Sequence, residues 1–174
     1  MPTSVSIVRV TPPMWRLHRA VRLAMLLDAP RAYGSTFDRE FAFSDEQWQE
    51  RMRDSTSWLA IEPGPPELPV GAVTLFRYAE QADDEACLVG MWVAPHARGR
   101  GVADNLVGAL LAHARSTGLG RVTLDVADDN PRAIGCYQRL GFTPTGRTGA
   151  LPHHEAVTEF EMAHTLARST ASSR

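Results

Sequence analysis

Hydrophobic and polar residues alternate weakly from Val5 to Val10, which predicts a first strand ended by Thr11-Pro12-Pro13. The period then changes. Met14, Leu17, Val21 and Met25, flanked by Ala20 and Ala24, recur at helical spacing as far as Asp28, where Pro30 stops the helix. Arg31 to Phe43 mixes aromatic, small and acidic residues, and the pattern places no element there. Ser44 followed three residues later by Gln47 offers a capping box for a helix reaching about Arg53. Trp58 to Glu62 reads as a strand, Pro63-Gly64-Pro65-Pro66 as a turn, and Val70 to Tyr78 as the antiparallel partner strand. Ala86 to Ala94 is an apolar run suited to a buried strand and is broken off by Pro95. A glycine-rich segment leads into an amphipathic helix to about Thr117, with Val102, Leu106, Val107, Leu110, Leu111 and Ala114 on one side. Val122 to Val126 is a strand. Asn130 then caps a helix that has Pro131 at its first position and Gly141 just past its end. Phe142 to Thr145 and Ala156 to Met162 form a closing strand pair, joined by a loop that holds His153 and His154.

The chain has 174 residues, enough for one domain with a core, and no repeat divides it. Residues 1–166 are expected to form that domain, and the polar run from Ala167 onward is expected to be a disordered tail. All 18 basic residues are arginine; there is no lysine. That excludes a Walker-type phosphate loop and any Schiff-base mechanism, since both need an amine side chain. A net charge of -2 argues against a dedicated nucleic-acid binder. Mean hydropathy is -0.21. Apolar stretches fall far short of the roughly 20 residues of a membrane span, and the amino terminus lacks a secretory pattern. A cytoplasmic protein is expected. Cys87 and Cys136 have no metal-ligand spacing, so neither a bound metal nor a disulfide is expected.

The most informative segment is His96-Ala97-Arg98-Gly99-Arg100-Gly101-Val102-Ala103, where a strand hands over to a helix. The first N–H groups of a helix have no intrahelical partner and carry the positive end of the dipole, so an anion can settle there. Gly99 and Gly101 keep side chains out of its way, while Arg98 and Arg100 bring positive charge close. A dinucleotide fingerprint would need a third glycine where Asp104 stands, although Asp125 falls near the position of a ribose-binding acid. Too little chain follows for that fold. What fits is Arg98-x-x-Gly101-x-Ala103, which resembles the Q/R-x-x-G-x-G/A motif of the GNAT acetyltransferase superfamily. Downstream, Asn130-x-x-Ala133-x-x-x-Tyr137-x-x-x-Gly141-Phe142 resembles that superfamily's later signature at the same spacing.

The resemblance implies an α/β fold, with a mixed and mostly antiparallel sheet of about six or seven strands, flanked by about four helices and splayed where acetyl coenzyme A binds. It implies an enzyme that moves an acetyl group from acetyl-CoA directly to a primary amine, with a small molecule as expected acceptor. Rival readings are a protein or peptide amine, another acyl group, or a non-catalytic acyl-CoA-binding sensory domain. The cofactor diphosphate would lie on Arg98, Gly99, Arg100, Gly101, Val102 and Ala103. The pantetheine would run along Met91, Trp92 and Val93, and a bulge near Gly90 to Trp92 would free backbone groups to polarise the thioester. Asn130 would bond the cofactor arm, and Tyr137 would protonate the departing thiolate.

An acceptor amine of ordinary pKa near 10.4 is only about 0.1% neutral near pH 7.4, so a base is needed, and Glu85 at the head of the central strand is the candidate. Alternation puts it on one face with Cys87 and Val89. Ala32-Tyr33-Gly34-Ser35-Thr36-Phe37 and Glu40 resemble a segment that lines acceptor sites in similar enzymes, so Tyr33, Ser35, Phe37 and Glu40 are expected in that pocket, with His154 approaching from the closing loop. Similar proteins often form homodimers. No exposed stripe in this sequence marks the interface.

Overall fold

A computed structural model describes residues 5–166, so the expected tail from Ala167 lies outside the described residues. The first alternating run is strand β1 (Ser6–Arg9), and after a short 3-10 turn at Pro12–Met14 the helical period becomes α1 (Trp15–Asp28). The stretch without a period contains one short helix, α2 (Phe37–Phe41), whose cap Thr36 accepts the Arg39 N–H at 3.3 Å. Helix α3 (Asp45–Arg53) carries the full capping box: Ser44 Oγ accepts the Gln47 N–H, and Gln47 Oε1 accepts the Ser44 N–H. Next come β2 (Ser55–Glu62), β3 (Leu68–Phe76), β4 (Glu85–Val93), α4 (Val102–Ser116), β5 (Arg121–Ala127) and α5 (Pro131–Arg139). The chain closes with β6 (Thr143–Leu151) and β7 (His154–Thr165).

All seven strands join one open sheet in the order β1-β2-β3-β4-β5-β7-β6, so the mixed, mostly antiparallel sheet is as expected, with five helices where about four were anticipated. Among the described residues only β4 and β5 run parallel, and they pair over just three positions: Glu85 with Arg121, Ala86 with Val122, and Cys87 with Thr123. Beyond Cys87 the two strands part. That is the expected splay.

Each sheet face is closed by helices from a different part of the chain. The apolar stripe of α4 packs on Trp58, Leu75, Ala86, Leu88, Val122, Leu124 and Met162, and all six residues assigned to that stripe are buried. Each valine or leucine of that stripe removed from water contributes about 1.5–3 kcal/mol. On the other face, Val21 of α1 and Trp48 and Met52 of α3 pack on Leu59, Ile61 and Ala72. This second cover is built on β1 to β3 and the bulged part of β4, where Trp92 joins it. Asp125, Glu159 and Glu161 stand on β5 and β7, beyond that apolar cover.

The closing strands correct the sequence reading. They are nine and twelve residues long and are joined by Pro152-His153 alone, with His153 at φ 65°. His154 is therefore the first residue of β7 and not part of a loop. None of the helices is long and apolar enough to cross a membrane.

Candidate active site

The site is organised by one extra residue in β4. Between the pairs Ala72–Trp92 and Thr74–Val89, β3 advances two residues while β4 advances three, so β4 bulges at Gly90 and Met91. Gly90 lies at φ +58°, in the left-handed region that a side chain would oppose. Bulge and splay coincide, leaving the backbone of β4 without a strand partner on its β5 side from Leu88 onward.

The bulge is roofed by α1 and the segment after it. A Cβ added to Gly90 would stand 3.6 Å from Arg22 Nη1 and 3.8 Å from Met25 Cε. The Tyr33 hydroxyl donates to the Met91 carbonyl at 3.0 Å, and the Tyr33 ring lies 5.3 Å from the Arg22 guanidinium. Burial raises the Tyr33 pKa, so the phenol stays protonated. Ser35 is buried and Phe37 is half-buried, stacked on Phe41 at 5.4 Å.

Glu40 departs from the expected pocket role. It is 1% exposed and receives Arg22 Nε at 2.9 Å and Arg22 Nη2 at 2.7 Å, with Arg51 Nη1 at 3.4 Å. Burial alone would raise its carboxyl. The bonds from Arg22, the charges of Arg22 and Arg51, and a hydrogen bond from Ser35 outweigh that and hold it below the usual carboxylate range. Glu40 thus ties α1, α2 and α3 together, its carboxylate buried and taken up by Arg22 and Arg51. His154 approaches the same region: its Nε2 donates to the Pro30 carbonyl at 3.0 Å, because a carbonyl oxygen only accepts. The β6–β7 turn therefore rests on the segment after α1.

At the other end of the splay lies the glycine loop. Gly99 and Gly101 have φ 78° and 77°, and a Cβ at either would meet no atom within 4 Å. The first bond of the α4 ladder is from Asn105 N–H to Gly101 O at 3.1 Å, so the N–H groups of Val102, Ala103 and Asp104 have no place in that ladder. The arginines behave differently from expectation. Arg98 turns back to donate from Nε to Val93 O at 2.9 Å and from Nη2 to Asp28, while Arg100 pairs with Glu62 at 2.7 Å. Each gives its charge to a carboxylate, which leaves the backbone as the main attraction for an anion. Asp28 also accepts from Trp92 Nε1 at 2.9 Å, pinning the end of α1 to β4. The carbonyls of Met91 and Val93, both in the segment assigned to pantetheine, are thus already engaged.

Asn130 caps α5 as expected. Its Oδ1 accepts the Ala133 N–H at 3.1 Å, which leaves its amide N–H groups as donors. Tyr137 is buried with its ring edge-on to Phe142 at 5.8 Å. Burial raises its pKa, with smaller contributions from Cys136, Tyr33 and Cys87, so it holds its proton.

Glu85 is not brought to the bulge. It sits at the joined end of β4 and β5, five residues or about 17 Å along the strand from Gly90. There it pairs with Arg121 at 3.4 Å and accepts from Gln81. Cys87 shares its face as alternation required, and burial pushes that thiol up to about 12. A carboxylate that sequence reasoning left out of the site is nearer the opening. Asp125 lies two residues past the last β4–β5 pair and across from Glu161 of β7. Val122, Leu124 and Val126 share the core with α4, so Asp125, between them in the alternation, faces the opposite side of the sheet. Asp125 is exposed as a whole, and partial desolvation of its carboxyl followed by the charge of Glu161 raises its pKa.

This architecture recurs in known proteins. The nourseothricin acetyltransferase structure superposes with a TM-score of 0.58 over 66% of each chain at 27% identity. An acetyltransferase from Streptococcus pneumoniae shares the fold with a TM-score of 0.79, over 94% of this chain and 100% of its own, at 17% identity. In sequence, the mycothiol acetyltransferase of Nocardia farcinica is 33% identical over 111 residues, 56% of this chain. That match covers 35% of the relative, so this chain spans about a third of its length. The family described as Acetyltransferase (GNAT) matches residues 22–142, which takes in the bulge, the glycine loop, the splay and Tyr137. The chain belongs to the GNAT acetyltransferase family.

Proposed function

We propose that this chain transfers an acetyl group from acetyl-CoA to the primary amine of a small molecule, in a ternary complex without a covalent enzyme intermediate. The observation that carries the reading is the succession of three features from β4 into α4: the parting of β4 from β5, the bulge at Gly90, and the left-handed glycine loop. The residues present fit the donor molecule, because the loop offers unladdered N–H groups with open space in front of Gly99 and Gly101. Bound there, acetyl-CoA supplies an acyl carbon activated as a thioester. The reaction balances as ammonium plus acetyl-CoA giving amide, free CoA thiol and one proton: a C–N bond forms and the C–S bond breaks.

The chain's own groups take the remaining roles. Val102, Ala103 and Asp104 present N–H groups to the diphosphate, and Asn130 donates to the cofactor arm. Tyr137, kept protonated by burial, gives its proton to the departing sulfur. Asp125 fits the base better than Glu85, since its raised carboxyl lies toward the opening while Glu85 is held by Arg121. The small-molecule acceptor is supported by the relatives, whose names specify mycothiol and nourseothricin.

Thiol release measured over amino acids, polyamines, aminoglycosides and peptide amines tests this reading. At least one small amine is expected to release CoA well above background. Release with peptide amines alone would move the acceptor to proteins. Acetyl-CoA that stabilises the protein without any release would make it a binding module. With the best acceptor, Tyr137→Phe is expected to lower kcat about tenfold, a modest factor because a thiol of pKa near 8.5 leaves readily. The Michaelis constant for acetyl-CoA should change less than kcat; the reverse pattern would make Tyr137 a binding contact.

A further inference from the structure

Arg22 has a nitrogen without an adequate partner. The side chain is 10% exposed, and Nε and Nη2 form the two-pronged bond to Glu40. Nη1 meets only the Met25 sulfur, at 4.0 Å, among the described residues. Thioether sulfur is a weak acceptor, so a buried guanidinium N–H is left with little for the solvation it lost. Such an exception calls for a ligand or a strain reservoir.

The direction of Nη1 selects between them. It lies 3.6 Å from the point where a Cβ on Gly90 would stand, over the one residue whose missing side chain opens the bulge. Tyr33 holds it from above, with its ring over the guanidinium and its hydroxyl on the Met91 carbonyl. The surrounding charge favours an oxygen with negative character. Arg22 and Arg51 bring two positive charges against the single carboxylate of Glu40. His18, packed beside them, adds none at neutral pH, because burial and the two arginines lower its pKa to about 4.

We infer that Arg22 donates through Nη1 to the acyl carbonyl oxygen held at the Gly90 bulge, as a side-chain donor additional to the backbone there. This rests on the acetyl-transfer reading above. As the amine nitrogen bonds to the acyl carbon, charge accumulates on that oxygen, and it returns to the carbon when the C–S bond breaks. A fixed donor whose other nitrogens are locked on Glu40 needs no reorganisation to meet it.

Arg22→Lys keeps a positive charge beside Glu40 but replaces the three guanidinium nitrogens with one ammonium, so Nη1 is lost together with one prong of the Glu40 bond. We expect kcat to fall about 100-fold, with acetyl-CoA affinity by calorimetry changed less than about threefold. A second readout is independent of turnover. The infrared carbonyl stretch of carbon-13-labelled acetyl-CoA should shift to lower frequency on binding the wild-type protein and move back toward its solution position in Arg22→Lys. Arg22→Gln, which still donates to Glu40, gives the same measurement if the lysine variant does not fold. An unshifted band in the wild-type complex, or the same shift in both proteins, overturns the inference even if kcat falls. Failure of the wild-type protein to bind acetyl-CoA would instead overturn the acetyl-transfer reading.

Discussion

Gly101→Glu is expected to abolish acetyl-CoA binding, with at least a roughly 100-fold loss of affinity by calorimetry. Two effects combine. A non-glycine residue at φ 77° costs roughly 1–2 kcal/mol, but a Cβ there meets no atom within 4 Å, so the strain is local and the fold can survive it. The carboxylate then stands where the diphosphate would lie, turning an attractive helix end into a repulsive one. Gly101→Ala separates the contributions: it carries the strain without the charge and should weaken binding far less. Unchanged affinity in Gly101→Glu would remove the loop from the binding site.

The largest effect on stability is expected from Glu40→Ala. It would leave Arg22 buried without its carboxylate and take from Arg51 the same partner, a situation that costs about 3–5 kcal/mol. Urea unfolding should report this as a lower midpoint with little change in slope. A double variant, Glu40→Leu with Arg22→Met, should recover most of the loss, since a buried pair replaced by apolar side chains is often neutral. The pH sign follows from the depressed Glu40 carboxyl. Its contribution is full above the unfolded carboxylate pKa near 4.3, and it is lost as pH falls through the lower folded value. A loss under about 1 kcal/mol in Glu40→Ala would mean the three helices are held mainly by their apolar contacts.

Legibility in the sequence follows the range of the interaction. The α4 stripe, the Ser44–Gln47 box, and Asn130, Pro131 and Gly141 around α5 are set by neighbours within about one helical turn, and each is readable. Gly90 is compatible with the bulge that the family resemblance implies, and the register of β3 and β4 is what places it there. The pattern cuts β6 short because most of its residues are exposed, so no alternation marks it; its pairing with β7 defines it. Helix α2 has only five residues, too few for a period. The Arg22–Glu40 pair spans 18 positions and joins two helices, so its spacing carries no signal and Glu40 reads as a pocket residue. For Glu85 alternation gives the side chain's direction, while its separation from the bulge follows only from where β4 and β5 part.

The pairing of Arg98 with Asp28 and of Arg100 with Glu62 changes how a diphosphate would arrive. A free charge reaches out to the screening length, about 8 Å at physiological ionic strength, and pulls anions in from solution. An arginine neutralised by a neighbouring carboxylate projects only a dipole, which fades over a shorter distance. If the proposed diphosphate site lies at this loop, capture there would be a contact event, decided by the fit of the anion to the backbone and only weakly by added salt. Such a loop would select by shape after collision, where an exposed basic patch would select by sign before it.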